Sequence, residues 1–192
     1  MSEIISGILK CTSGKIVFNG VEIQDKSIKE IRHLGLSHIS EDRIKYGIAN
    51  TLSVRDNIAS IYLSSGEFNK GPFLNVRKLN KFVDDCIKEF EIACSGGQDK
   101  IRYLSGGNIQ KVIVARELSG KSNFVIANQP TRGIDVGTTD LIRRLLVKTT
   151  RESNRGVLLI SSDLTELLEV SDRLLVMKDG EIVAQFTDLE GV

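Results

Sequence analysis

The sequence predicts an α/β fold in which helices flank a core sheet and β-hairpins lie at the periphery. Two runs, residues 124–127 and 157–160, are apolar at every position, as strands buried in a parallel sheet are. Between them, apolar residues recur at helical spacing in residues 141–149. The pair Asn19-Gly20 separates two short extended segments and is a strong hairpin signal, because both residues tolerate a positive φ. A strand, a helix and a second apolar strand in succession are typical of a parallel sheet.

The same periodicities place the remaining elements. We expect strands at 36–39, 124–127 and 157–160, and hairpins at 15–18 with 21–23 and at 173–177 with 181–186. We expect short helices at 2–9 and 164–168, and longer helices at 79–90, after Ser105, and at 141–149, where the last of these stops near Gly156. The chain has no internal repeat and no low-complexity linker. We therefore expect one domain, residues 1–192, with a helical subdomain at 52–120.

Composition excludes several classes of function. With 192 residues, 41% of them hydrophobic, the chain is long enough to bury one sizeable core. Its 26 Lys and Arg residues nearly balance 25 Asp and Glu residues, so the net charge of +1 gives no electrostatic case for nucleic acid. The apolar runs are too short to span a membrane, and the N-terminus has no signal-peptide pattern. Any role at a membrane is therefore expected to depend on a partner.

Cysteine and histidine usage predicts no resident metal centre. The three cysteines and two histidines match no familiar zinc spacing; they are Cys11, Cys86, Cys94, His33 and His38. An odd number of cysteines is typical of reduced, partly buried thiols in a cytosolic protein.

Residues 105–107, Ser-Gly-Gly, precede a helical pattern that begins near Ile109. A helix start has unpaired N–H groups and a positive dipole end, and both favour a phosphate. Glycine also lets a polyphosphate approach the backbone closely. Alone, such a run is more often a simple helix cap. The apolar strand that follows, and then Gln-Pro-Thr at 129–131, favour the phosphate interpretation.

Residues 104–111, LSGGNIQK, resemble the signature motif of the nucleotide-binding domains of ABC transporters. The early hairpin at 12–20 and the segment Glu41-Asp42-Arg43, at the Q-loop position, extend the resemblance over nearly the whole chain. Residues 131–137, TRGIDVG, resemble the D-loop of the carbohydrate-importer branch, whose ATPases carry two nucleotide-binding domains in tandem. The segment at 41–43 and the Asn of LSGGN resemble the second of those domains. The Asn-Gln-Pro at 128–130 is most similar to purine-nucleoside members.

The resemblance implies an ABC-ATPase core of the P-loop NTPase type and assigns a role to each matching position. The signature residues, expected to contact nucleotide held by a second domain, are Leu104, Ser105, Gly106, Gly107 and Asn108. Glu41 takes the place of the Q-loop glutamine, and Asp135 is the D-loop residue at the domain interface. Asn128 and Gln129 occupy the positions of the Walker B Asp and the catalytic Glu. Ser162 aligns with the switch histidine.

Departures from the family pattern predict a site that has given up hydrolysis. The sequence contains no G-x-x-x-x-G-K-[ST], and its first residues resemble the helix that follows a P-loop, so we expect the chain to begin just beyond one. Amides at Asn128 and Gln129 carry no charge for Mg²⁺ and no basic oxygen for an attacking water. Ser162 cannot act as a cationic contact to the γ-phosphate.

The resemblance therefore implies a degenerate half of an ABC importer for a sugar or a nucleoside. Its signature would act in trans on ATP and Mg²⁺ shared across the interface with a second nucleotide-binding domain. The implied partners are transmembrane permease subunits and, indirectly, a substrate-binding protein, with no nucleic acid. The implied location is cytoplasmic, on the inner face of the cell membrane.

Two alternatives stay open. The chain is an active ATPase domain whose P-loop lies outside it, or it is a non-functional fragment. In the second case we expect the strand at 124–127 to have an unprotected neighbour position and to promote aggregation.

Overall fold

Helices and strands alternate along the chain, as the apolar pattern predicts. The computed structural model describes residues 1–63, 66–70 and 72–187. The α-helices are α1 (Ser2–Ile5), α2 (Ile28–His33), α3 (Val54–Ala59), α4 (Val76–Glu89), α5 (Gly106–Leu118), α6 (Val136–Ser153) and α7 (Leu164–Val170). The strands are β1 (Val17–Phe18), β2 (Val21–Glu22), β3 (Leu36–Ile39), β4 (Asn69–Lys70), β5 (Phe73–Leu74), β6 (Phe124–Asn128), β7 (Gly156–Ile160), β8 (Leu174–Lys178) and β9 (Glu181–Phe186). A π-helix, Arg43–Gly47, and a 3₁₀ turn, Ile101–Tyr103, complete the elements described.

The central sheet has the strand order β3–β6–β7, and both neighbouring pairs are parallel. Its register places Ile39 beside Ala127 and Asn128 beside Ile160. The predicted parallel α/β sheet is thus confirmed. The expectation that β6 has an unprotected neighbour position is wrong, because β3 pairs with one edge of this strand and β7 with the other.

Successive residues of β6 enter two different apolar clusters. Val125 and Ala127 belong to a large cluster that includes α5, whereas Ile126 packs with Ile23, Ile31 and Leu36 in a smaller one. Because successive side chains of a strand point to opposite faces, the sheet is covered on both sides. Val125 and Ile126 are fully buried, and each such side chain stabilises the fold by about 1.5–3 kcal/mol.

Helix α5 lies at the centre of the large cluster. Residues Val112, Ile113, Val114 and Ala115 have no exposed surface, so this helix is buried around its whole circumference. Its contacts include α3, α6 and β3. The body of α5 is therefore locked in the core, and the exposed residue of this helix, Gly106, is its first.

A buried ion cluster joins α2 to α5. The fully buried carboxylate of Glu117 accepts hydrogen bonds from Arg32 Nη1 and Nη2 at 2.8 and 3.0 Å, and from Arg116 Nε at 2.9 Å. Burial raises the pKa of this carboxyl, but the two guanidinium groups outweigh burial and the net pKa is lowered. Glu117 is therefore ionised in the folded chain.

Turn geometry agrees with the sequence at both predicted hairpins. Asn19 and Gly20 have φ of 50° and 76°, and Asp179 and Gly180 have φ of 50° and 86°. Two-residue hairpin loops favour turns in which both residues have positive φ, and these values match such turns. Helix α6 ends at Ser153 and not near Gly156, because Asn154 takes the left-handed conformation (φ 51°) that Asn tolerates.

Several short elements differ from the sequence prediction. The helix expected at 2–9 is only the four residues of α1. Helix α2 and the β4–β5 hairpin were not predicted, and α3 was predicted only as part of the helical subdomain at 52–120. Six-residue helices and two-residue strands are too short to produce a clear period in the apolar pattern.

Candidate nucleotide-contact site

The signature turn is a capped helix start whose capping hydroxyl faces solvent. Ser105 Oγ accepts from the backbone N–H of Asn108 at 3.4 Å and from Asn108 Nδ2 at 2.9 Å. Asn108 Oδ1 in turn accepts from the N–H of Ala93 at 2.8 Å. Ser105 and Gly106 are exposed. The turn is therefore held from one side, while its first N–H groups and the Ser105 hydroxyl proton are available to an external acceptor.

Asp135 brings a second helix start to the same place. Its Oδ1 accepts from the Thr138 N–H at 2.9 Å and its Oδ2 from Thr138 Oγ1 at 2.8 Å, which caps α6. The Thr138 N–H and then its hydroxyl lower the pKa of Asp135, so the carboxylate is charged. A Cβ on Gly107 would stand 2.9 Å from Asp135 Oδ2. The structure thus joins two predicted site residues, and a side chain at residue 107 would have to displace the Asp135 carboxylate.

Glu41 lies beside the loop that leads to Asp135. Its Oε1 forms an ion pair with Arg132 Nη1. Arg43, two residues further, donates to the carbonyl oxygens of Gly106 and Arg132. In the sequence Arg43 stands out only as part of the Glu41-Asp42-Arg43 segment, and no local pattern assigns it a role. Its contacts depend on the tertiary approach of three segments, which local spacing does not reveal.

The amide pair lies at the carboxyl end of β6. Asn128 Nδ2 donates to Ser2 Oγ at 3.0 Å. Gln129 has a left-handed backbone (φ 49°), and its N–H donates to the carbonyl of Ile160 at 2.8 Å. Its side-chain Oε1 lies 3.4 Å from both the N–H and the Oγ of Ser162. The structure thus brings Gln129 and Ser162 together at adjacent strand ends.

This group does not fit Mg²⁺ as a resident ion. The Asn128 amide is neutral, so its oxygen brings no negative charge to a cation, and its N–H donates to the Ser2 hydroxyl. Mg²⁺ prefers carboxylate oxygens and water. In the part of the chain that the structure describes, no three His, Cys, Asp or Glu side chains form a group that could hold a metal ion.

The chain matches one protein family over more than half of its length. The model of the ABC transporter family matches residues 1–132. The chain belongs to this family.

Named relatives of this ABC chain are import proteins. It is 35% identical over 191 residues to the "Glucose import ATP-binding protein TsgD13" of Haloferax volcanii, covering 97% of this chain and 34% of that protein. It is 35% identical over 180 residues to the "Nucleoside import ATP-binding protein NupA" of Lactococcus lactis, with 94% and 35% covered. It is 36% identical over 187 residues to the "Ribose import ATP-binding protein RbsA" of Clostridium tetani, with 97% and 37% covered. The chain thus spans about a third of the length of these relatives.

Solved ABC cassettes share the fold. A dimeric post-hydrolysis state of the cassette MJ0796 with ADP and Pi superposes with a TM-score of 0.83 at 22% identity, covering 99% of this chain and 79% of that one. A nucleotide-free cassette superposes with a TM-score of 0.72 at 22% identity, covering 95% and 73%. The ABC-ATPase fold class is therefore confirmed. None of the helices in the described ranges is both long and apolar enough to cross a membrane.

Proposed function

We propose that the chain is the ATP-binding component of an ABC importer for a sugar or a nucleoside. The support is the family match together with relatives named for glucose, ribose and nucleoside import. On this proposal the chain is one nucleotide-binding domain with a helical subdomain at 52–120. It works at the cytoplasmic face of the membrane, bound to permease subunits that receive substrate from a binding protein.

Within that importer, we propose that the chain supplies its signature in trans to ATP held by a second nucleotide-binding domain. The observation that carries this proposal is the exposed turn at Ser105 and Gly106 on a buried helix. The helix start provides N–H donors, a hydroxyl and a positive dipole end for the γ-phosphate. Because α5 is fixed in the core, the donors are ordered before the nucleotide arrives, and preorganised donors are the effective ones.

The chain's own amide site is proposed to bind no Mg²⁺ and to perform no hydrolysis. The side-chain oxygen of Gln129 faces the N–H and the hydroxyl of Ser162. The side-chain N–H of Asn128 donates to the hydroxyl of Ser2. Neither amide is a competent base for water. ATP and Mg²⁺ are instead held mainly by the second domain, and Leu104–Asn108 complete that site across the interface.

The test is the ATPase rate of the assembled transporter with substitutions at Gln129. We expect Gln129→Asn to change kcat less than about twofold, because Asn also tolerates the left-handed backbone at this position. Gln129→Ala should likewise keep most of the activity. Removal of the catalytic carboxylate in the partner domain is the positive control and should abolish turnover. A loss of more than about 10-fold with Gln129→Asn, in a complex that still assembles, would mean that this site takes part in hydrolysis.

A further inference from the structure

One guanidinium group connects the signature turn to the loop that carries Asp135. Arg43 Nη1 donates to the carbonyl oxygen of Gly106 at 3.2 Å, and Arg43 Nη2 donates to the carbonyl oxygen of Arg132. Gly106 is the first residue of α5, and Arg132 lies three residues before Asp135. A single side chain thus binds both segments that face the expected interface.

The backbone under Arg43 is itself fixed at two points. Asp42 Oδ1 accepts from the N–H groups of Ile44 and Lys45 at 3.2 and 2.9 Å, which starts the π-helix Arg43–Gly47. At its other end, the carbonyl of Gly47 accepts from Arg116 Nη1 at 2.8 Å. The π-helix is therefore anchored to the last turn of α5, while Arg43 reaches the N-terminus of the same helix. A side chain on a fixed support holds its partners more accurately than one on a free loop.

Close packing reinforces this attachment. A Cβ on Gly47 would lie 2.7 Å from Ile113 Cδ1, so the absence of a side chain lets the π-helix contact α5 directly. Gly133, in the Asp135 loop, has a φ of 66°, and a Cβ there would lie 3.4 Å from Arg43 Nη2. The fork of the guanidinium therefore fits between two backbone segments.

The same loop is also bound by a carboxylate two residues before Arg43. The side chain of Arg132 pairs with Glu41 Oε1, so its charge is compensated while its carbonyl oxygen accepts from Arg43. Glu41 and Arg43 thus act on the same loop from one three-residue segment.

We propose that Arg43 is a positioning residue that holds the signature turn and the Asp135 loop in one geometry for the nucleotide of the partner domain. This role rests on the proposed function of the signature in trans. Two carbonyl oxygens in different segments require the planar fork of arginine; the single ammonium of lysine replaces only part of that contact.

The test compares Arg43→Met and Arg43→Lys with Arg151→Met, which removes an exposed guanidinium at the last turn of α6. Amide hydrogen exchange is measured on the 192-residue chain. With Arg43→Met we expect exchange to become about 10-fold faster at the amides of Asn108 and Arg132, which donate to Ser105 Oγ and to the Gln129 carbonyl, the size of effect that loss of a charged hydrogen bond produces. Arg43→Lys should fall between wild type and Met, and Arg151→Met should leave these amides unchanged. Global Tm should stay within about 2 °C for all three.

A second readout in the assembled transporter links this geometry to nucleotide. Arg43→Met should raise the KM for ATP about 5- to 10-fold, and Arg43→Lys should restore part of it. Unchanged exchange in Arg43→Met would overturn the positioning role whatever the ATPase result. Faster exchange with an unchanged KM would overturn its link to nucleotide, provided that Ser105→Arg abolishes turnover in parallel. If Ser105→Arg also leaves turnover unchanged, the proposed function fails. Amide hydrogen exchange alone then decides whether Arg43 orders the two segments.

Discussion

Asp135 Oδ2 lies 2.9 Å from the point where a Cβ on Gly107 would stand. This contact places the start of α5 against the start of α6, each with its own capping side chain, Ser105 and Asp135. Two helix starts that meet in this way concentrate N–H donors on one surface. The arrangement also explains why the second of the two adjacent glycines is more constrained than the first.

Gly107→Ala is expected to disturb the signature turn, whereas Gly106→Ala is not. The added methyl group at residue 107 would meet Asp135 Oδ2 at 2.9 Å and Thr138 Oγ1 at 3.0 Å, so the α6 cap must shift. At residue 106 the nearest atom is Arg43 Nη1 at 3.6 Å, which is an ordinary contact. We expect Gly107→Ala to lower the free energy of unfolding by about 1–3 kcal/mol in urea denaturation. Equal stability of the two variants would contradict the close approach.

Glu117→Gln should be strongly destabilising. It would leave two guanidinium groups, those of Arg32 and Arg116, without their shared carboxylate in a buried site. Breaking a buried ion pair in this way costs about 3–5 kcal/mol. Glu89→Gln is the matched control, since the Glu89–Lys148 pair is exposed at 3.5 Å and such pairs contribute about 0–1 kcal/mol. Chemical denaturation at neutral pH measures both, and a similar small effect of the two changes would refute the account of the cluster.

Protonation of the buried His38 side chain is expected to lower the stability of the fold in mild acid. Burial lowers its pKa from 6.5 to about 4; Glu117 opposes this shift and Arg32 adds to it. A pKa that is lower in the folded state means that the unfolded chain binds the additional proton between these values. Stability from this group is therefore complete above pH 6.5 and is lost as pH falls toward 4, by up to ~3 kcal/mol.

His38→Gln separates this contribution from those of the carboxylates. The pKa of Glu117 is lowered from 4.5, so its own loss of stability begins below that value. Urea denaturation at pH 7 and near pH 4.5 should therefore show a smaller change in the variant than in wild type. The same pH dependence in both proteins would show that His38 is not the titrating group.

The local pattern of apolar residues was sufficient to predict the strands of the sheet and the long helices. Continuous apolar runs gave β6 and β7, and helical spacing gave α4 and α6, because burial imposes those periods directly. The position of β3 between turn residues was also predicted. Its pairing with β6 was not, since parallel neighbours are chosen by tertiary packing and not by local spacing.

The candidate site was predictable only in part. Ser105 and Asp135 have the short polar side chains that cap helices, and glycines beside them mark a close approach. Arg43, by contrast, lies 63 residues from Gly106 and 89 from Arg132, so no local signal connects them. The contact of Asn128 with Ser2 joins positions 126 residues apart and was missed for the same reason.

The ATPase rate of the assembled transporter with Ser105→Arg tests the central claim most directly. An arginine at this exposed cap removes the hydroxyl and fills the space in front of the α5 N–H groups, so we expect kcat to fall by more than about 100-fold. Ser13→Arg, at an exposed loop position, is the control and should keep the wild-type rate. Assembly is verified by co-purification with the permease subunits. Wild-type turnover in an intact Ser105→Arg complex would contradict a signature that acts on the partner's nucleotide.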